Sequence, residues 1–249
     1  MDRLAFNAVG NINEQALKRQ ALVHELSNVA TVGFKRSFET ALTAVGLDGP
    51  GFESRFQPQA MSRDLIDLRP GPVQITGNPL DVALRHQTVL GVVAEDGTNA
   101  YTRRGDLRVN ASGLLEIASG QLVRGEGGPI TVPPEGKPRI ADDGSVLVMN
   151  VQTGEETFID RLFLRDASET PLARREDGLF TPSSKPGTDI ALGEVLPTVT
   201  SGALEGSNVS AVETMVGLME QSRSFEMSVR IIKQAKDLDD NGASMMRLG

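Results

Sequence analysis

The sequence AVETMVGLMEQSRSFEMSVRIIKQAK, residues 211–236, decides the fold because its seam positions recur at alternating steps of four and three residues. These positions are Ala211, Met215, Leu218, Ser222, Phe225, Val229, Ile232 and Lys236. Six of the eight are apolar, so the spacing predicts an amphipathic helix with one apolar stripe. Another element must cover that stripe.

Residues 5–30 repeat the same spacing near the other end of the chain. The positions are Ala5, Val9, Ile12, Ala16, Arg19, Val23, Leu26 and Ala30, and seven of the eight are apolar. A helix is expected from about Leu4 to Ala30, opened by Asp2 and closed by Gly33, with Phe34 just beyond. Because helical and heptad repeats drift apart by only about 20° per heptad, the pattern fits both an ordinary amphipathic core helix and a coiled coil.

The start of the second helix has two candidate caps. Ser210 with Glu213 three residues later fits a capping box, and Asn208 is the competing N-cap. The Asn241-Gly242 pair predicts the end of this helix.

The region between the helices divides into two stretches. Residues 35–72 are rich in Gly and Pro and predict an extended connector, whereas residues 73–204 alternate short apolar runs with turn dipeptides. The runs are Thr88–Ala94, Leu107–Val109, Leu114–Ile117, Val146–Met149 and Phe158–Leu164. The turns are Asp96-Gly97, Ser112-Gly113, Asp143-Gly144, Thr153-Gly154 and Asp177-Gly178. We therefore predict an α+β chain: a terminal helix in residues 1–34, the connector, an antiparallel sandwich or barrel-like β domain, and a second terminal helix in residues 205–249.

The composition excludes several classes of function. A net charge of −8 without a basic run longer than two residues argues against nucleic-acid binding. No stretch approaches the roughly 18 apolar residues of a membrane span, so membrane insertion is not expected, and the N-terminus lacks the apolar core of a cleavable signal. The absence of cysteine excludes disulfides and thiol chemistry.

The potentially reactive side chains predict no catalytic residue, no metal site and no cofactor. The two histidines, His24 and His86, are far apart in the sequence, so neither a metal cluster nor a triad is expected. Asp237, Asp239 and Asn241 imitate the start of a calcium loop, but Leu248 stands where a bidentate Glu is needed. A solvated helix end is the better interpretation.

Four segments spread along the chain resemble the rod and hook proteins of the bacterial flagellum. They are HELSNVATVGFK at residues 24–35, TGNPLDVA at 76–83, YTRRG at 101–105 and GALEGSNV at 202–209. The first departs from the family pattern at His24, Glu25 and Ala30, where the usual residues differ. The short length and the tail after Asn208 are most similar to the proximal rod members, and a distal rod or hook-type protein is the alternative.

The resemblance implies a structural subunit whose terminal helices pair as a coiled coil and pack against neighbouring subunits. It implies other rod proteins and copies of this chain as partners, transfer through the flagellar type III export apparatus without a cleaved signal, and a place in the periplasmic rod, where torque is transmitted. The implied assembly interface comprises Val9, Ile12, Ala16, Val23, Leu26, Asn28, Gly33, Phe34, Asn208, Met215, Leu218, Phe225, Val229 and Ile232.

Two functions of other classes are less favoured by the residues present. A secreted ligand-binding β module needs an aromatic platform, and the chain has one Tyr and no Trp with which to build it. A cell-wall hydrolase needs two carboxylates converging in a cleft, and pairs such as Asp142-Asp143 and Glu155-Glu156 look like solvated charge.

Overall fold

The computed structural model describes residues 2–38, 42–46, 56–60, 65–134, 136–150, 154–193 and 197–247. The chain forms two compact units. The helical unit comprises Met1–Ser27, Glu39–Ser62 and Ser210–Gly249, and the β unit comprises Asn28–Phe38 and Arg63–Val209.

The elements follow one another as two terminal helices with strands between them. In chain order they are α1 (Asp2–Ser27), β1 (Ser37–Phe38), β2 (Leu42–Gly46), β3 (Phe56–Ala60), β4 (Leu65–Ile66), β5 (Val73–Ile75), β6 (Val82–Leu84), β7 (Thr88–Val93), β8 (Asn99–Thr102), β9 (Leu107–Val109), β10 (Leu115–Ile117), β11 (Leu122–Gly125), β12 (Gly128–Pro129), β13 (Gly136–Ile140), β14 (Ser145–Asn150), β15 (Glu156–Arg161), β16 (Leu164–Asp166), β17 (Leu172–Arg174), β18 (Phe180–Pro182), β19 (Val199–Ser201), β20 (Ala203–Glu205) and α2 (Ala211–Arg247). The two terminal helices are confirmed, but the prediction that the first reaches Ala30 and is closed by Gly33 is wrong. This helix ends at Ser27, and the Gly33 N–H bonds to the Glu205 carbonyl oxygen instead.

The second helix begins where the capping box predicts and ends later than expected. The Ser210 Oγ accepts a hydrogen bond of 3.4 Å from the Glu213 N–H, so Ser210 is the N-cap. The prediction that the helix ends at Asn241-Gly242 is wrong, because α2 continues to Arg247. A glycine inside a helix costs only about 1 kcal/mol relative to alanine, and the Ala, Ser, Met and Arg residues that follow are compatible with a helix.

The β unit is built from antiparallel pairings throughout the residues that the structure describes. An eleven-stranded sheet has the order β1-β4-β17-β18-β8-β7-β11-β10-β9, with β12 paired to β11 and β16 to β7. The strands β13, β14 and β15 form a separate sheet, and β19–β6 and β20–β5 form two ribbons. The prediction of an antiparallel β-rich domain is confirmed; sandwich or barrel-like closure stays a prediction.

Glycines at positive φ make the predicted hairpin turns possible. Gly97, Gly113, Gly144 and Gly178 have φ between 78° and 82°, a region that L side chains rarely enter. The strands on either side match the predicted runs, except that the run at residues 158–164 divides between β15 and β16. The core inside them is aliphatic and includes Leu90 and Ile117, both fully buried.

The stretch predicted as an extended connector contains four short strands. Strands β2 and β3 pair as a hairpin in the helical unit, and β1 pairs with β4 in the β unit. The many Gly and Pro residues hide these strands from a search for alternating apolar positions. The predicted division of the chain into four segments stays a prediction.

The tight contact at Gly105 gives a first testable prediction. A Cβ at this position would lie 1.7 Å from the Val82 carbonyl oxygen. We expect Gly105→Ala to lower the free energy of unfolding by about 3 kcal/mol, because the backbone must shift to admit a methyl group. Urea denaturation measures the change.

Gly193→Ala is the control for that measurement. Its Cβ would lie no closer than 3.5 Å to the Asp166 side chain, an ordinary contact distance. We expect a change within about 0.5 kcal/mol. Equal effects of the two substitutions would contradict the packing argument.

Candidate assembly interface and buried ion network

The contact between helices α1 and α2 includes polar side chains, a glycine and one leucine. The Gln15 Nε2 donates hydrogen bonds of 2.9 Å to Ser224 Oγ and 3.2 Å to Ser228 Oγ. At Gly217 an added Cβ would lie 3.4 Å from both methyl groups of Leu22, so the two helices approach to van der Waals distance there. We call this contact, formed by Gln15, Leu22, Gly217, Ser224 and Ser228, the inner strip.

The inner strip lies beside the predicted apolar seam of α2. Gly217, Ser224 and Ser228 each precede a seam residue by one position, which corresponds to about 100° around the helix axis. The seam itself is therefore left largely open. Met215 and Phe225 are 50% and 46% exposed in this single chain.

The other seam residues divide between exposed and half-buried positions. Ala16, Val23 and Val229 are exposed, and Ile12, Leu26, Leu218 and Ile232 are half-buried. The Val9 side chain lies outside the described residues. Pairing of the two helices as a coiled coil, and the assembly role of these residues, stay predictions.

The two exposed seams meet at one groove. Ala16, Arg19 and Val23 of α1 line one wall, and Ser222 and Phe225 of α2 line the other. All five are positions of the predicted seams, and four further lining residues outside the seams are polar or charged: Gln15, Gln20, Gln221 and Glu226. The groove has a volume of about 570 Å³, and we call it the helix groove.

A buried carboxylate, Glu205 in β20, lies at the centre of the β unit's ion network. The Lys35 Nζ donates to Glu205 Oε1 at 2.7 Å, and the Arg103 Nε donates to Glu205 Oε2 at 2.9 Å. The Gly71 N–H also donates to Oε1, at 2.9 Å. The three charged side chains are at most 1% exposed, so the ion pairs are formed without water.

Arg103 has a hydrogen-bond partner for each of its N–H donors, and the Lys35 Nζ also donates to the Arg69 carbonyl oxygen at 2.8 Å. Arg103 uses its five N–H groups on Glu205 and on the carbonyl oxygens of Leu84, His86 and Thr88. Burial lowers the pKa of both Lys35 and Arg103 below their usual values, and the charge of Glu205 opposes that shift.

The segment after α1 is fixed to the same network. The Gly33 N–H donates to the Glu205 carbonyl oxygen at 2.8 Å. Gly33 has φ of +65°, and an added Cβ would lie 2.4 Å from the Arg103 backbone, so only glycine fits. The Phe34 ring lies 4.5 Å below the Arg174 guanidinium.

Asn208 completes this arrangement from the segment before α2. Its Oδ1 accepts from the Arg36 N–H at 2.8 Å, its Nδ2 donates to the Asp67 carbonyl at 2.9 Å, and its N–H donates to the Phe34 carbonyl at 3.2 Å. These bonds explain why Asn208 does not cap α2. Asn28 lies in the turn after α1, where its Oδ1 accepts from Thr31 Oγ1 at 3.1 Å.

Lys35, Arg103 and Glu205 were not among the predicted site residues. A signal was present, because Lys35 is the only charged residue in residues 28–35 and Glu205 is the only one in residues 202–209. Lone charges of opposite sign in two otherwise uncharged segments are candidates for a buried pair.

Other kinds of site receive no support from the described part of the chain. It holds no cluster of three or more potential metal ligands, and neither helix is long and apolar enough to cross a membrane. His86 is exposed in a turn with φ of 51°. The calcium-like stretch from Asp237 is helical up to Arg247.

Comparison with known proteins gives two family matches and full-length relatives. A model described as "Flagellar hook protein FlgE/F/G D1 domain" matches residues 89–148, and one described as "Flagellar basal body rod FlgEFG protein C-terminal" matches residues 200–245. The chain is 34% identical to flagellar basal-body rod protein FlgF of Salmonella typhimurium, with all of both chains covered. It is 35% identical to FlgF of Escherichia coli, covering 100% of this chain and 98% of the relative.

A rod protein of another type, FlgG of Agrobacterium fabrum, is 26% identical, covering 96% of this chain and 97% of the relative. The chain belongs to the flagellar basal-body rod protein family, whose members are structural and not enzymatic. Within that family it is most like the rod proteins named FlgF. The prediction of a structural rod subunit is confirmed.

The ion network gives a second prediction. We expect Glu205→Gln to lower the free energy of unfolding of the β unit by about 3 to 5 kcal/mol, because it leaves two buried cations without their counter-charge. Chemical denaturation followed by circular dichroism in the strand region measures the change.

Glu156→Gln is the matched control, since Glu156 forms a bidentate pair with Arg139 at 2.7 and 2.6 Å on the exposed surface. Exposed pairs contribute little, so the unfolding transition should stay in place. If Glu205→Gln were equally harmless, the network would not stabilise the unit.

Proposed function

We propose that the chain joins the flagellar rod by receiving a terminal helix of a neighbouring subunit in its helix groove. The observation that carries this proposal is the convergence of both apolar seams on one open groove, with Val23 on one wall and Phe225 on the other. A third helix with an apolar stripe would cover both seams at once. The neighbours are other rod proteins and copies of this chain.

The energetics require contacts along the length of the helices. Fully burying one large apolar side chain contributes about 1.5 to 3 kcal/mol, whereas association costs about 4 to 15 kcal/mol of lost freedom. One residue such as Phe225 is therefore insufficient. The helices carry the further apolar area that such a contact needs. Six side chains are at least 45% exposed, namely Met215, Met219, Phe225 and Val229 on α2 and Leu17 and Val23 on α1.

The polar character of the inner strip supports an intermolecular role for the seams. Gln15, Ser224 and Ser228 hold α1 and α2 together by hydrogen bonds and use no seam residue. The apolar stripes are thereby left for a neighbour. Pairing of the terminal helices as a coiled coil belongs to this proposal.

The β unit contributes a stiff anchorage in this proposal. Residues 33–36 follow α1 and residues 205–208 precede α2, and both segments are bonded into the network around Glu205. Force applied to the segment after α1 or to the segment before α2 would act on backbone and side-chain groups that are hydrogen-bonded around the buried Glu205. This arrangement suits transmission of torque.

The cellular setting follows from the family. The chain acts in the flagellar basal body; its position in the proximal part of the rod, the periplasmic course of that rod and transfer through the type III export apparatus are proposed from the resemblance. A distal rod or hook-type role is less favoured, because the FlgG relative is less similar than the FlgF relatives.

A substitution in the groove tests the proposal. Phe225→Ser removes the largest apolar side chain that lines the groove. We expect incorporation into purified basal bodies to fall at least about tenfold, since one buried aromatic contact is lost for each subunit. Quantitative immunoblotting of basal bodies, from a strain expressing only the variant, measures incorporation, and spreading in soft agar reports motility.

Met227→Ser is the matched control on another face of α2. Met227 is 59% exposed and does not line the groove, so this variant should incorporate normally. Circular dichroism of both purified variants verifies that the helices persist. Normal incorporation of Phe225→Ser would refute the groove as the assembly site.

A further inference from the structure

Strand β5 is an edge strand whose apolar side chains lie in solvent. Its only strand partner in the described residues is β20. Val73 is 57% exposed and Ile75 is 85% exposed, and residues 72–79 are exposed throughout. Val73 and Ile75 are alternate residues of one strand, so their exposed side chains share one face.

The register shows where the backbone groups of β5 point. The pairs Thr76–Gly202 and Pro72–Gly206 are directly opposite each other and hydrogen-bonded, each at 2.8 Å. Bonded and non-bonded pairs alternate in an antiparallel ladder, so Gln74 bonds to β20. The N–H and C=O groups of Val73 and Ile75 therefore point away from β20, toward the open edge.

Two other strand edges in the β unit carry proline or charge within the strand itself, which β5 lacks. Strand β13 contains Pro138, which has no N–H, and the exposed Lys137. Strand β9, at the end of the large sheet, carries the exposed Arg108. Proline and charge on an edge oppose strand addition, whereas β5 itself reads Val-Gln-Ile.

The surroundings of β5 favour a second copy of the same chain as the partner. The segment PGPVQITGNPL, residues 70–80, has no charged residue, although the chain carries a net charge of −8. Two copies repel each other over most of their surface, and this neutral stretch is one place where they can meet. Pro72 and Pro79 lie on either side of β5 within this stretch and limit the pairing to a few residues.

We infer that β5 is a self-pairing edge, where two copies of the chain join their Val73–Ile75 strands antiparallel about a twofold axis at Gln74. Val73 then lies opposite Ile75 of the second copy, and the four outward groups of each edge form about four hydrogen bonds. A twofold contact uses the same patch on both copies and closes at two. This twofold dimer is distinct from the proposed contacts in the helix groove, by which subunits join the rod.

Cysteine cross-linking tests the geometry, and the native chain has no cysteine to interfere. In the twofold pair Gln74 faces Gln74 of the second copy as a non-hydrogen-bonded pair, with Cα atoms about 4.5 Å apart. That distance is within the roughly 4.4 to 6.8 Å that a disulfide spans. Purified full-length Gln74→Cys should form a disulfide-linked dimer under mild oxidation.

Ser184→Cys is the control, because Ser184 is exposed and lies outside the edge. Its dimer yield gives the level of random collision. A Gln74→Cys yield no higher than this level would overturn the inference.

A backbone variant tests whether hydrogen bonds at the edge hold the pair. Ile75→Pro removes the outward N–H and leaves the Gln74 bonds to β20 in place, so the β unit should stay folded. The pair loses one hydrogen bond from each copy, and the self-association constant should fall about tenfold or more. Sedimentation equilibrium measures it, with Ile75→Val as the matched variant that keeps the N–H.

Both arms use a Phe225→Ser background, which removes association through the helix groove. If the proposed groove function failed, the Gln74→Cys dimer would still form, and if only the edge failed, Phe225→Ser would still block incorporation. Equal association of Ile75→Pro and Ile75→Val would contradict strand pairing. If Ile75→Pro does not fold, the dimer yields of Gln74→Cys and Ser184→Cys decide whether the edge pairs.

Discussion

The β unit depends on one buried carboxylate that bridges two cations. Glu205 joins Lys35 and Arg103, which are separated from it in sequence by 170 and 102 residues. A charge buried without partners is strongly destabilising, so this core forms only when all three segments are in place. The network thereby fixes the segment after α1 and the segment before α2 in one unit.

Glycines around the network allow the backbones to approach closely enough to complete it. An added Cβ at Gly71 would lie 2.3 Å from the Gly206 carbonyl oxygen, and Gly33 touches the Arg103 backbone in the same way. Side chains at these positions would separate β20 from its donors. The close backbone contacts and the ion pairs therefore depend on each other. The buried charges need their hydrogen-bond partners, and those partners can approach only because glycine has no side chain.

The sequence predicts what is local and misses what is distant. Turn glycines such as Gly144 and the Ser210 cap follow from short spacing, because their partners lie within a few residues. No local pattern shows that Lys35 meets Glu205, since that contact depends on the assembled sheet. On the helices, the heptad spacing shows an apolar stripe but not which face touches α1, and the inner strip lies one residue away from it.

That displacement has a physical consequence for an assembling protein. If the seam residues Val23 and Phe225 packed on each other within the chain, the helices would form a closed pair with little apolar surface left for a neighbour. The inner strip instead uses Gln15, and the Oε1 atoms of Gln15 and Gln221 are buried without a hydrogen-bond partner among the described residues. An unsatisfied buried acceptor weakens a contact. The contact between α1 and α2 therefore carries an uncompensated polar cost, while apolar surface such as that of Phe225 stays exposed in the single chain.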